Sequence, residues 1–309
     1  MSAAVDPRLD VSVGDAEILA APLMHPEGPD LRADGGLLFV EADSGRICVS
    51  YPGRGVATFA STGGSPYGCT LGSDDCVYVT QSGNTDPAVG VPRHVPPSIQ
   101  RVSPDGADVE ILATHADGRA FGAPNDLAWG SDGRLLFTDS GQWDPDDRTD
   151  PGFIHALRPD GHAEVVLELG PVFPNGIAVE ADGSIIWLES YTRVVGRLRR
   201  NGTTEVVAVL PEGHIPEGVK VALDGSLWIT NFEAGGVDVI ERDGTPREVI
   251  HVGGVPVNCL FGDGWLFVAD FGHPSDPLDE DSFRPGSIRR IRVTTRGMPL
   301  NRGSIDRKA

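Results

Sequence analysis

One short unit recurs six times along this chain, and a chain built that way has few folds open to it. The unit is a proline, a variable residue, a small or polar residue, a short strand, an Asp-containing turn and a second strand. It starts at Pro26, Pro66, Pro124, Pro174, Pro216 and Pro256, in steps of 40, 58, 50, 42 and 40 residues. The clearest copy reads Val172-Phe173-Pro174-Asn175-Gly176-Ile177-Ala178-Val179, turns at Asp182-Gly183, and continues Ser184-Ile185-Ile186-Trp187. An Asp-Gly pair between alternating apolar residues is a hairpin signal. The same turn stands at Asp34-Gly35, Asp132-Gly133, Asp224-Gly225 and Asp263-Gly264, with Asp74-Asp75 in the second copy.

Steps of about 40 to 50 residues, each with room for four short strands, have the period of propeller blades. Helical periodicity is absent. The pattern therefore predicts an all-β fold, a single six-bladed β-propeller with four antiparallel strands per blade. It spans residues 16–295, with an N-terminal arm at 1–15 and a solvated basic tail at 296–309. The strand near Ile18 is expected to complete the blade that ends at Ile291, removing free sheet edges. The long steps hold polar inserts, roughly Ser82 to Pro97 and Gly141 to Pro151; a third runs from Gly272 to Pro285.

Composition narrows the partners. A formal net charge of −20 repels phosphate backbones and anionic lipid, so neither nucleic acid nor a membrane surface is expected as a partner. The repeats carry no information on oligomeric state. Cys48, Cys69, Cys76 and Cys259 form no C-x-x-C pair and read as free thiols of a reducing compartment. With no long apolar run near Met1, a cytoplasmic protein is expected.

The innermost strand of each propeller blade lines a central channel, so equivalent positions of the repeats converge at its mouth. The residue after each proline reads Glu27, Tyr67, Asn125, Asn175, Glu217 and Val257. Four of these offer oxygen ligands, two of them carboxylates. Such hard donors suit a divalent cation, Ca²⁺ or Mg²⁺, and flexible spacing favours Ca²⁺. Two facing carboxylates with no such ion would be costly. Asn and Glu beside Pro and Gly are also ordinary turn chemistry; it is the recurrence of oxygen donors at one slot that points to a metal.

Several residues are secondary candidates. Trp143, in an insert, is a possible substrate platform, and Tyr67 and His273 are weaker substrate contacts. His94 and His115 read as surface groups. Asp139, Glu189, Asn231 and Asp270 each end a second strand and are expected to satisfy loop backbone groups. Trp129, Trp187, Trp228 and Trp265 sit at strand positions and read as packing. No G-x-S-x-G or H-E-x-x-H motif occurs.

The segments Pro26-Glu27-Gly28, Pro124-Asn125-Asp126, Phe173-Pro174-Asn175-Gly176, Pro216-Glu217-Gly218 and Leu136-Phe137-Thr138-Asp139 resemble the signature segments of the SMP-30/gluconolactonase/LRE-like family. The resemblance covers essentially the whole chain. It implies a six-bladed propeller with one divalent cation at the channel mouth, often Ca²⁺, with Zn²⁺, Mn²⁺ or Mg²⁺ as alternatives. It also implies hydrolysis of a small-molecule lactone or ester. By position, Glu27, Asn175 and Glu217 match metal ligands, Asn125 matches a ligand or substrate contact, and Glu217 doubles as the base. Two positions depart from the family. Glu217 stands where the family usually has Asp, and Ala123 stands where sugar lactonases often have Arg. A polyhydroxylated substrate is the less supported for it. The other readings are a strictosidine-synthase-like enzyme, a cyclase or hydratase using a carboxylate without metal, and a non-catalytic binding propeller.

Overall fold

The computed structural model describes residues 10–11, 16–83, 95–272 and 285–306. The chain is a six-bladed β-propeller. Blade 1 is Pro26–Leu31, Leu37–Glu41, Arg46–Tyr51 and Gly55–Ser61, from the axis outward. Blade 2 begins with Pro66–Leu71, blade 3 with Pro124–Trp129, blade 4 with Pro174–Val179 and blade 5 with Pro216–Val221. Blade 6 takes three strands from Pro256–Gly262 onward and its outermost strand, Glu17–Met24, from the start of the chain. The strand near Ile18 thus completes the blade that ends at Ile291, as the sequence predicts, with Glu17 paired to Arg290 and Met24 to Pro285.

Each inner strand touches the inner strands of both neighbouring blades, and the ring is complete between Pro256–Gly262 and Pro26–Leu31. The core is six apolar clusters, one between each pair of blades. Alternation explains the unbroken apolar run Leu37-Leu38-Phe39-Val40. Leu37 and Phe39 pack toward blade 6, and Leu38 and Val40 toward blade 2, so both faces of the strand are buried.

The turns follow a single recipe. In five chain turns the Asp carboxylate accepts the amide two residues on: Asp34 from Gly36, Asp74 from Cys76, Asp132 from Arg134, Asp182 from Ser184 and Asp224 from Ser226. The following glycine takes positive φ where present, as at Gly183 (82°). At the sixth turn both Asp263 (50°) and Gly264 (77°) are left-handed, the pattern of a type I′ hairpin.

Three features differ from expectation. Blade 5 has a fifth strand, Asp10–Val11, paired parallel with Pro246–His251. A small hairpin, His115–Ala116 with Arg119–Ala120, precedes blade 3. The segment 296–306 is not solvated. Arg302 donates to both oxygens of the buried Asp30 and to Leu71 O, Asn301 donates to Trp129 O, and Arg101 donates to Ile305 O. The segment first bridges blade 5, with Gly297 paired to Ala222 and Met298 N bonded to Val221 O, and then runs under blades 1 to 3, where a buried carboxylate and several carbonyls need donors.

Of the tryptophans, Trp129, Trp187 and Trp228 are core residues. Trp265 is instead half-buried, with Arg290 and Arg292 guanidinium groups 4.0 and 3.7 Å from its ring centre. All four cysteines are free thiols. No helix among the described residues is long and apolar enough to cross a membrane.

Candidate active site

Every inner strand begins with an irregularity. The pairing of the first and second strands shifts just after the proline in all six blades. Such bulges re-aim a side chain. They are pinned by hydroxyls of the preceding blade: Thr138 donates to Asn175 O at 2.6 Å, Thr230 to Val257 O at 2.9 Å, and Thr80 to Asn125 O. Ser82, Ser140 and Ser190, just past the second strands, donate to Pro124 O, Pro174 O and Pro216 O. In blades 3 to 6 the slot after the proline is thus held by its own strand and by its neighbour.

Four inner strands have glycine two residues after the proline. A Cβ on Gly176 would stand 2.5 Å from Glu217 O, and one on Gly28 2.6 Å from Gly68 Cα. Glycine here is what lets the strands crowd the axis.

On this frame the fold brings Glu27, Asn175 and Glu217 together. Asn175 Nδ2 donates to Glu217 Oε2 at 2.6 Å and to Ser190 Oγ at 3.2 Å. Its Oδ1 accepts no hydrogen bond from a described residue. Glu27 is buried, and its Oε2 accepts from Gly28 N at 2.9 Å. Burial pushes the Glu27 carboxyl well above its ordinary value. The Glu217 charge adds to this, as does that of Asp126, while Gly28 N–H and the Asn258 side chain partly oppose it. Burial likewise raises Glu217 to about 8, against the hydrogen bond from Asn175. Neither carboxylate has an ion pair with a Lys, Arg or His among the described residues.

A buried carboxylate, Glu27, and a half-buried one, Glu217, both without a cationic partner among the described residues and beside an amide oxygen without a described donor, fit an oxygen-ligated divalent cation. No three His, Cys, Asp or Glu side chains converge among the described residues. An ion here would therefore draw on amide oxygen as well as carboxylate.

The remaining candidates sit differently. Asn125 is half-buried at the same slot in blade 3, and its side chain makes no hydrogen bond to a described residue. Tyr67, half-buried in blade 2, meets His25 edge-on at 5.5 Å. Trp143 is 48% exposed and packs on Phe173 and Tyr191, both at 4.8 Å, so it belongs to a rim cluster rather than to the carboxylates. His115 is exposed and contacts Thr114. His94 and His273 lie outside the described residues. Asp139 and Asp270 serve loop amides as expected: Asp139 accepts from Gly122 and Ala123, and Asp270 from Val255 and Gly272.

Two channel residues escaped the sequence reading. Asp126 and Asn258 occupy the second slot after the proline, where the other four blades have glycine. Asp126 accepts from Leu127 N and Ile177 N, and Asn258 Oδ1 from Cys259 N and Lys220 Nζ. The signal was that break in the glycine pattern. Below them lies a cavity of about 50 Å³, bordered by Asp30, Thr70, Asp126, Lys220, Met298 and Asn301. Segment 298–302 covers it, at the end of the channel away from the paired carboxylates.

The family described as SMP-30/gluconolactonase/LRE-like region matches residues 25–268. A gluconolactonase of Zymomonas mobilis is 24% identical over 296 residues, covering 84% of this chain and 79% of that protein. Among solved structures, the calcium-binding protein regucalcin of Agrobacterium tumefaciens superposes with a TM-score of 0.76 at 16% identity, over 97% of this chain and 99% of that one. A gluconolactonase of Xanthomonas campestris gives 0.70 at 21% identity, over 94% and 96%. At these identities the structural likeness speaks to the fold.

Proposed function

Because the chain belongs to the SMP-30/gluconolactonase/LRE-like family, we propose that it is a metal-dependent hydrolase that opens a lactone, a cyclic ester. The observation that carries this reading is the uncompensated pair of carboxylates, buried Glu27 and half-buried Glu217, the latter bonded to Asn175 at the channel mouth. Glu27, Asn175 and Glu217 are the residues that would hold one divalent cation, with Asn125 beside them. Ca²⁺ is the first choice for such a donor set, and the regucalcin relative is a calcium-binding protein. When bound, the ion supplies Lewis-acid polarisation of the lactone carbonyl.

The chain's own residues supply the rest. Glu217, ionised, takes a proton from the attacking water as the new C–O bond forms. The ring C–O bond then breaks, and the same proton passes to the departing ring oxygen, giving a hydroxy acid. Asn175 holds the Glu217 carboxylate in place through the 2.6 Å bond. Asn125, its amide free of described partners, orients the substrate. The low exposure of Glu27 and the partial burial of Glu217 strengthen their polar contacts. Free thiols agree with a cytoplasmic setting.

The direct experiment is chelation followed by a screen of sugar, aliphatic and aromatic lactones with Ca²⁺, Zn²⁺, Mn²⁺ or Mg²⁺ restored. Turnover that appears only with metal is the expected result. A panel that stays inert with every ion sinks the proposal.

A further inference from the structure

The residue that follows each second strand reaches across to the start of the next blade. In blades 2, 3 and 4 it is Ser82, Ser140 and Ser190, each bonded to the next blade's proline carbonyl. In blades 5 and 6 the same position holds Phe232 and Phe271. Their backbone follows the shared pattern, with Phe232 N bonded to Ile215 O and Phe271 N to Val255 O, both at 2.9 Å. A phenyl ring thus stands where three other blades place a hydroxyl.

These rings form one surface. Both pack against the apolar cluster that contains Val257, and their centres are 5.9 Å apart. Phe271 meets His25 edge-on at 4.3 Å, and His25 meets Tyr67 at 5.5 Å. His25 directly precedes Pro26-Glu27, and its φ of 53° turns the chain into the mouth. The arc therefore runs from blade 5 through blades 6 and 1 to blade 2. Val257 occupies the slot between Glu217 and Glu27 around the axis. Asn125 and Asn175 belong to the remaining two blades, 3 and 4. The mouth is two-sided, with carboxamides on one flank and an apolar, largely aromatic wall on the other. Phe232, Phe271 and Tyr67 keep part of their surface exposed. Along Phe232 and Phe271, backed by buried Val257, a polyhydroxylated ring would meet phenyl groups and lose hydrogen bonds to water without replacement.

We infer that the substrate is a lactone whose ring carries an alkyl or aryl substituent, seated on the Phe232–Phe271 wall while the ester faces Asn175 and Glu217. This rests on the lactone reading of the site and adds the substrate class to it. Ala123, buried at the position two before Asn125, agrees, since it brings no charged donor for hydroxyl groups.

The test compares kcat/KM of the Ca²⁺-loaded protein on a phenyl-substituted δ-lactone and on D-glucono-1,5-lactone. The phenyl compound should be preferred by about tenfold or more, the scale at which apolar pockets discriminate. Phe232→Ser and Phe271→Ser, which install the residue of blades 2 to 4, should collapse that ratio, mainly through KM. Phe271→Leu, which keeps apolar volume, should collapse it less. In parallel, calorimetry measures binding of a phenyl-substituted δ-lactam and its polyhydroxylated counterpart, neither of which needs turnover. Preference for the hydroxylated compound, or a ratio indifferent to both serines, overturns the inference. Tight phenyl-lactam binding with no lactone turned over supports the apolar wall and instead refutes the lactonase reading.

Discussion

At the scale of single residues, Glu217 joins the proposed metal to the proposed base. Glu217→Gln keeps an oxygen donor and the shape but removes one charge and the proton acceptor. Metal affinity should fall, and turnover at saturating metal should fall further, by ~10²-fold or more. Glu217→Asp should be milder. Activity titrated against metal, with thermal melts to show folding, reads both; full turnover in the Gln variant would move the base to another group. The same carboxyl sets a pH dependence. Its ordinary value of 4.5 holds in the unfolded chain, and in the fold it rises to about 8. Between these values the folded chain keeps a proton that the unfolded chain has released, so raising pH weakens the metal-free fold. The melting temperature in EDTA should therefore drop from pH 5 to pH 8 more steeply in the wild type than in Glu217→Gln. Ca²⁺ should restore stability most at the high end; equal slopes for the two proteins would contradict this. Glu27 is raised in the same direction, and both carboxylates were legible because they recur at one slot of a repeat. Asp126 and Asn258 were not, because they matter by interrupting a glycine pattern whose purpose only the crowded axis reveals.

At the scale of elements, the bulged starts of three inner strands, those of blades 3, 4 and 6, each depend on a threonine that the strand does not contain. Thr138 accepts from Asp126 N at 3.1 Å and donates to Asn175 O at 2.6 Å, linking blade 3 to blade 4. Thr138→Val conserves volume but strands a buried amide and a buried carbonyl, a loss of about 1–3 kcal/mol. Urea denaturation should show that loss. Metal affinity should weaken too, because Asn175 would lose the contact that fixes its backbone; Thr138→Ser should recover both. Unaltered affinity in the Val variant would mean that the bulge holds Asn175 unaided. Strands and turns were readable because period-two alternation and Asp-Gly pairs are local signals. The short strand Asp10–Val11 and the hairpin at His115–Ala116 were not, since two-residue elements have no period to detect. The same limit hid the wall at Phe232 and Phe271: a lone Phe after a strand reads as packing until the next blade is placed beside it.

At the scale of the whole molecule, the ring is held by contacts between residues far apart in sequence. Arg302 is the partner of Asp30, whose side chain is almost wholly buried. Arg302→Ala should cost up to about 3–5 kcal/mol, the usual penalty for leaving one member of a buried pair uncompensated. The hydrogen bonds from Leu31 N, Thr70 and Leu71 N already given to Asp30 should hold the loss toward the lower end. Calorimetric unfolding measures it, and the double variant Asp30→Asn/Arg302→Ala should recover part of the loss. A basic tail looks solvated on composition alone, because its partners are carboxylates and carbonyls that only the assembled ring exposes together.

The outermost strand of blade 6, Glu17–Met24, waits for Pro285–Arg292. During synthesis this early strand must stay unpaired while five blades emerge from the ribosome. Until then the nascent chain presents an open arc with two unsatisfied flanks, the state in which β-rich chains most readily associate with one another. Joining them spans nearly the whole chain length, and such non-local pairing is slow. The apolar and aromatic faces of blades 1 and 6 stay exposed through that interval. Chaperone dependence should accordingly concentrate in this late window of biosynthesis, and a permuted gene whose encoded chain starts inside blade 6, keeping Glu17–Met24 next to Pro285–Arg292, should shorten it.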